Sequence, residues 1–156
     1  DRLDGDQRQV ATITREKTRN YPMAAANADN KVQDYEGIGG SDLSSTQRLA
    51  LLDLIEAYIS NLRDPHAAVT MSEIAEHLDT TYFAWIGGAE DEAVFYYRVH
   101  SPVILIEFDH QNPVGTQMLN TPGQPTRDHI HTVVRTPNGN DYGKDLLAQH
   151  LASVQH

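Results

Sequence analysis

Two periodicities divide this chain. Between Ser44 and Leu78 apolar residues recur at three- and four-residue intervals, and between Thr81 and Arg135 they alternate with polar ones. The first regime predicts helices. Ser44-Ser45-Thr46-Gln47 has the spacing of a capping box, and Leu51, Ile55, Tyr58 and Leu62 then form a stripe widened by Leu52, Leu54 and Ile59. A second helix is expected over Pro65–Leu78, with Asp64 as N-cap, Pro65 at the first helical position and Met71, Ile74, Ala75 and Leu78 facing inward.

The alternating regime predicts strands over Thr81–Ile86, Val94–His100 and Val103–His110, the last two joined by a tight hairpin at Ser101-Pro102, and another strand beginning at His129. The stretch from Gln111 to Asp128 has no apolar period and reads as a long loop. A final helix is expected over Gly143–Val154, with Leu147, His150, Leu151 and Val154 on its inward stripe. Upstream, Asp4-Gly5-Asp6-Gln7 caps a short helix running to about Thr12, and the polar text from Thr14 to Gly40 reads as an irregular strap. The fold expected is α+β: an antiparallel sheet of about four strands with helices packed on one face. The chain reads as a single domain over residues 1–156, a strap (1–40) on a compact body (41–156).

Alternation also sorts the side chains. One face of the sheet would carry Phe95, Tyr97, Val99, Ile104, Ile106, Phe108, Ile130 and Val134, enough to pack on the helices. The other would carry Tyr96, Arg98, His100, Glu107, Asp109, His129, His131 and Arg135. An ordinary solvated face is rich in Lys and Thr, whereas this histidine-rich one has the residue types that bind metals and move protons. His129 and His131 stand side by side on it, with Asp109 on the neighbouring strand. These three, with His110, are the candidate ligands of a divalent metal ion such as zinc, iron or copper. His110 has the opposite parity to Asp109 and joins them only if a bulge interrupts the strand. Glu107 is the candidate general base, and Arg98 and Arg135 are candidate clamps for an anionic or carbonyl substrate, a small molecule of unknown identity. Ion bridges from the arginines to Glu107 and Asp109 are the competing reading. Asp141 is either a further ligand or the N-cap of the last helix. Tyr96 and Trp85 are expected to serve the structure, Trp85 by packing near Gly87-Gly88.

Charge and composition narrow the partners. Twelve Lys and Arg against 22 Asp and Glu leave a formal net charge of −10, with the basic residues scattered, which disfavours nucleic-acid backbones and anionic membranes. There is no cysteine, which removes disulfides and thiolate chemistry. No apolar run approaches the ~18 residues of a membrane span. The chain begins with Asp, so a preceding segment of the parent protein is expected; the compartment stays open.

The runs FAWIGG (Phe83–Gly88), VFYYRVHSPVILIEFDHQ (Val94–Gln111) and HIHTVVRTPNGNDYGKDLL (His129–Leu147) resemble the family known as domain of unknown function 3500. YEGI at Tyr35–Ile38 and DLSSTQRLALLDLIEAYI at Asp42–Ile59 resemble it too, so the likeness spans most of the chain. It implies a longer protein whose N-terminal portion carries paired histidines of its own. This chain would be the C-terminal portion, with the missing part as partner and as a possible source of further ligands. The family carries no assigned activity. Two function classes therefore stand open: a metal-dependent enzyme, a hydrolase or an oxidoreductase, and a non-catalytic metal- or anion-binding domain that docks on the N-terminal portion.

Overall fold

Helix formation is clearest where capping and an apolar stripe coincide. In the computed structural model, which describes residues 2–21, 32–116, 118–137 and 150–154, α1 (Gly5–Ala11) begins at Asp4, whose side chain accepts from the Gln7 backbone while Gln7 reaches back to Asp4. The longer α2 (Ser45–Ile59) uses the same reciprocal box, with Ser44 and Gln47. α2 stops short of the expected Leu62, which is left 46% exposed. α3 (Asp64–Glu76) starts one residue earlier than expected, with Arg63 at the N-cap position, Asp64 in the first turn and Pro65 just inside it.

The strands are β1 (Thr12–Thr14), β2 (Ile38–Gly39), β3 (Tyr82–Gly87), β4 (Phe95–His100), β5 (Leu105–His110) and β6 (Ile130–Arg135). They form a six-stranded sheet in the order β1-β3-β4-β5-β6, with β2 also paired to β3. Every pairing is antiparallel except β1 with β3. The fold is thus mixed, with helices and a mostly antiparallel sheet, and it has six strands where about four were expected. The two extra ones are too short to show a period in the sequence. Between β4 and β5 the turn is closed by Ser101, whose backbone donates to the Ile104 carbonyl and whose hydroxyl accepts from Val103 and Ile104.

Leu51, Ile55 and Ile59 of α2 pack with Ile74 of α3, Leu78, and Val99, Ile104 and Ile106 from the β4–β5 hairpin. Ile55, Ile74, Val99 and Ile106 are fully buried, each contributing about 1.5–3 kcal/mol of hydrophobic transfer. Met71 packs against this core, as expected. Trp85 stacks on Phe95 with ring centroids 4.5 Å apart, and its indole N–H donates to the carbonyls of Gly87 and Gly88.

Two glycines in the YEGIGG run let the strap enter the sheet. Gly37 has φ +92°, and a Cβ there would lie 2.1 Å from the Phe83 carbonyl oxygen; at Gly40 it would lie 1.9 Å from that of Leu78. Both obstacles are backbone, so a side chain at either position would force β2 away from β3 or displace the turn after α3. The helix expected over 143–154 lies mostly outside the described residues, as does Asp141. At its described end, His150 is exposed and Leu151 and Val154 are 53% and 54% exposed, so none of the three faces inward.

Candidate functional site

The register of β3 to β6 arranges the polar face in rows. One runs Ile86–Tyr96–Asp109–His131, the next Ala84–Arg98–Glu107–Val133, and the third Tyr82–His100–Leu105–Arg135. This face does not lie in water. Tyr96, Arg98, Glu107 and Asp109 are each 1% exposed and His100 is 0% exposed. The strap covers it. Lys17 reaches Asp109, Tyr21 packs on Tyr96 at 5.7 Å, Tyr35 stacks on His100 at 4.3 Å, and Glu36 meets Arg98.

His129 and His131 stand at the edge of that covered layer. His131 is exposed and His129 half-buried, and their Nε2 atoms are 3.0 Å apart with the rings nearly perpendicular. His129 Nδ1 lies 2.6 Å from the backbone carbonyl of Asn112. A carbonyl only accepts, so this nitrogen carries the proton and Nε2 is left with its lone pair. The sequence pattern therefore does bring the two imidazoles together, as alternation on β6 requires.

Asp109 is the Cα partner of His131 and shares its face, but its carboxylate is already engaged. Oδ1 is 2.9 Å from Lys17 Nζ in a bridge whose side chains are both 1% exposed. Oδ2 accepts from the Tyr21 backbone at 2.8 Å and from Gln111 Nε2 at 3.0 Å. Burial holds the Lys17 ammonium below its ordinary pKa, with Asp109 pulling the other way. His110 is on the opposite face. β5 pairs regularly with β6 through His110 and with β4 as far as Asp109, so no bulge redirects it, and it sits edge-on to Phe95 and Phe108 with Nδ1 accepting from the Phe95 N–H. Desolvation lowers its pKa.

The residues proposed for substrate chemistry lie beneath the strap. Glu107 Oε1 accepts from the Tyr96 hydroxyl at 2.6 Å, and burial, with Glu107 beside it, pushes that phenol well above its usual range. Arg98 donates to Glu36 Oε2 at 2.6 Å and to the Asp34 carbonyl at 3.3 Å. Arg135 is buried four residues along β6 from His131, roughly 13 Å away at strand spacing. Among the described residues no group of three or more His, Cys, Asp or Glu side chains converges as a metal would need.

His100 is the residue that sequence reasoning placed on this face without a role. Neither ring nitrogen makes a hydrogen bond of good geometry, and desolvation, then the Arg98 charge, push its pKa down to about 4 against a smaller pull from the Asp34 backbone. Strict alternation within FYYRVH was its only signal. On the far side of the sheet a cavity of about 400 Å³ is lined mainly by apolar groups, among them Leu3, Leu51, Leu54, Phe83 and Trp85, with Arg2 and Arg8 also on its wall. No helix among the described residues is long and apolar enough to cross a membrane.

No curated protein and no solved structure matches this chain. The sequence model of one family, described as "Protein of unknown function (DUF3500)", matches residues 1–144, a span that includes the strap, the buried polar rows and both histidines. The chain belongs to that family.

Proposed function

We propose that His129 and His131 bind a divalent metal ion and that the domain is a metal-dependent enzyme, with hydrolysis as the reaction class. The observation that carries this reading is the pair's geometry. Imidazoles that share an ion at ~2.0–2.1 Å sit about 3.3 Å apart at tetrahedral angles, and the two Nε2 atoms, now joined by a hydrogen bond at 3.0 Å, need separate only slightly to take one up. The proton of His129 is fixed on Nδ1 by the Asn112 carbonyl, the outer-shell arrangement that keeps a ligating histidine in its binding tautomer. Imidazole donors suit zinc, copper and iron, and a bound ion of this kind supplies Lewis-acid activation of water. Two protein ligands leave coordination positions for water, substrate and a further protein group. Asp109 is the Cα partner of His131, but its carboxylate is held by Lys17 and is not one of the proposed ligands. Protein purified without a polyhistidine tag is expected to carry stoichiometric metal, and a His129→Ala, His131→Ala variant is expected to lose it while keeping its circular dichroism. Elemental analysis that finds no metal in either protein, or equal metal in both, overturns the reading.

A second reading rests on the apolar cavity of about 400 Å³ beside Arg2 and Leu3. Its Leu, Phe and Trp lining suits the side chains of a further segment of a longer protein, which the resemblance implies. Docking there makes the domain a scaffold. Trp85 lines the cavity, so addition of such a segment would shift the emission of the chain's one tryptophan; an unchanged spectrum counts against docking.

A further inference from the structure

We infer that Asn20, a residue of the strap, is a positioning residue for the histidine pair and sets the ring state in which His129 presents its lone pair. The consequence for metal affinity rests on the reading above; the positioning itself does not.

The sheet alone leaves this corner loosely held. The β5–β6 ladder ends at His110 and Ile130, and one further backbone bond follows, from Gln111 N–H to the His129 carbonyl at 2.8 Å. Gln111 also accepts from Thr126 N–H at 2.9 Å, which closes the base of the loop. Asn112 is the first residue beyond this clamp. Its carbonyl is the acceptor that fixes the His129 proton, and its own N–H is bonded to Asn20 Oδ1 at 2.8 Å, a contact across 92 positions of sequence. Asn20 in turn is held by its neighbours. Tyr21 N–H donates to Asp109, and Lys17 forms the buried bridge to the same carboxylate. A continuous path therefore runs from the Lys17–Asp109 pair through Asn20 and Asn112 to the ring of His129.

The physical reason this matters is that imidazole has two neutral forms of similar energy in water, and the hydrogen bond at one nitrogen decides which is present. With Asn112 held, the proton stays on Nδ1, and Nε2 keeps the lone pair that accepts from His131 Nε2–H in the metal-free protein and that an ion would take up in place of that hydrogen bond. With Asn112 released, its carbonyl is free to turn to solvent, and the ring is free to carry its proton on Nε2, the atom that faces His131. Loss of an outer-shell partner of this kind lowers metal affinity ~10–100-fold.

The test uses the whole chain. In metal-free protein, nitrogen-15 NMR of the histidine rings is expected to show His129 as a single Nδ1–H form. Asn20→Ala should convert this to a mixture of the two forms, while Asn20→Asp, which keeps an oxygen acceptor at the same place, should preserve it. Because Lys17 still anchors the strap, both variants are expected to fold, and urea unfolding checks this. Zinc titration should then show affinity reduced ~10–100-fold in Asn20→Ala and restored in Asn20→Asp. A His129 ring that keeps one pure form in Asn20→Ala overturns the positioning role. Tautomer mixing in Asn20→Ala together with no zinc binding to any of the proteins supports the positioning role and removes the metal reading instead.

Discussion

Asp109→Leu is expected to destabilise the protein by about 3–5 kcal/mol, the range found when one partner of a buried ion pair is removed. In a chain of this length that corresponds to a fall in melting temperature on the order of 10 °C. The size follows from what the substitution strands. Lys17 Nζ loses a partner at 2.9 Å in a place where both side chains are 1% exposed, and the Tyr21 N–H and Gln111 side-chain amide lose their acceptor. Lys17→Met should cost distinctly less. It removes the ammonium but leaves Asp109 with those two N–H donors, and the methionine stem replaces the apolar part of the lysine. Urea midpoints of the two variants give the comparison. If Asp109→Leu matches wild type, or Lys17→Met is the worse of the two, the carboxylate is not the anchor of the strap.

Lowering the pH from 7 to 5 is expected to remove about 2 kcal/mol of stability through His100 alone. Its pKa falls from 6.5 to about 4 on folding, so between those values the unfolded chain takes up the proton and the folded chain does not. Stability from this group is complete above pH 6.5 and declines steadily as the pH drops toward 4. The cause is structural: the ring is 0% exposed, lies against Tyr35 of the strap, and has Arg98 as a charged neighbour. His110 is shifted the same way by its burial and steepens the decline. His100→Phe keeps an aromatic surface for Tyr35 and carries no proton, so its urea midpoint should vary less between pH 7 and 5 than that of wild type. Parallel curves would show that the acid sensitivity arises elsewhere.

Much of this architecture was readable from residue order, and the parts that were not share a cause. α2 and α3 announced themselves through caps and stripes, and β3 to β6 through alternation, because those signals are local. Even the separation of His129, His131 and Asp109 from His110 followed from parity along the strands. β1 and β2 were hidden because three and two residues carry no period; their pairing with β3 defines them. The burial of the polar rows was hidden for another reason. Alternation distinguishes two faces of a sheet but not water from a polar cover. Here the cover consists of Lys17, Tyr21, Tyr35 and Glu36, side chains whose charges and rings complement Asp109, Tyr96, His100 and Arg98 from far away in sequence. The same contacts turn Glu107, Arg98 and Asp109, which looked like reactive groups, into the lining of an interior layer.

That layer has a consequence for how the molecule assembles. The hairpin partners β4, β5 and β6 lie near one another along the chain, whereas Tyr21 meets Asp109 across 88 positions and Asn20 meets Asn112 across 92. Chain-closure entropy favours the nearer contacts, which places the arrival of the strap, with its β1 and β2, after β3 to β6 and the helices packed on them. In the interval the molecule has one side already sealed by aliphatic packing and another that is hydrated and charged, a side that discourages sticking to other nascent chains. Lys17→Met would then quicken unfolding and leave the refolding rate almost untouched, whereas slower refolding would put the strap in the nucleus.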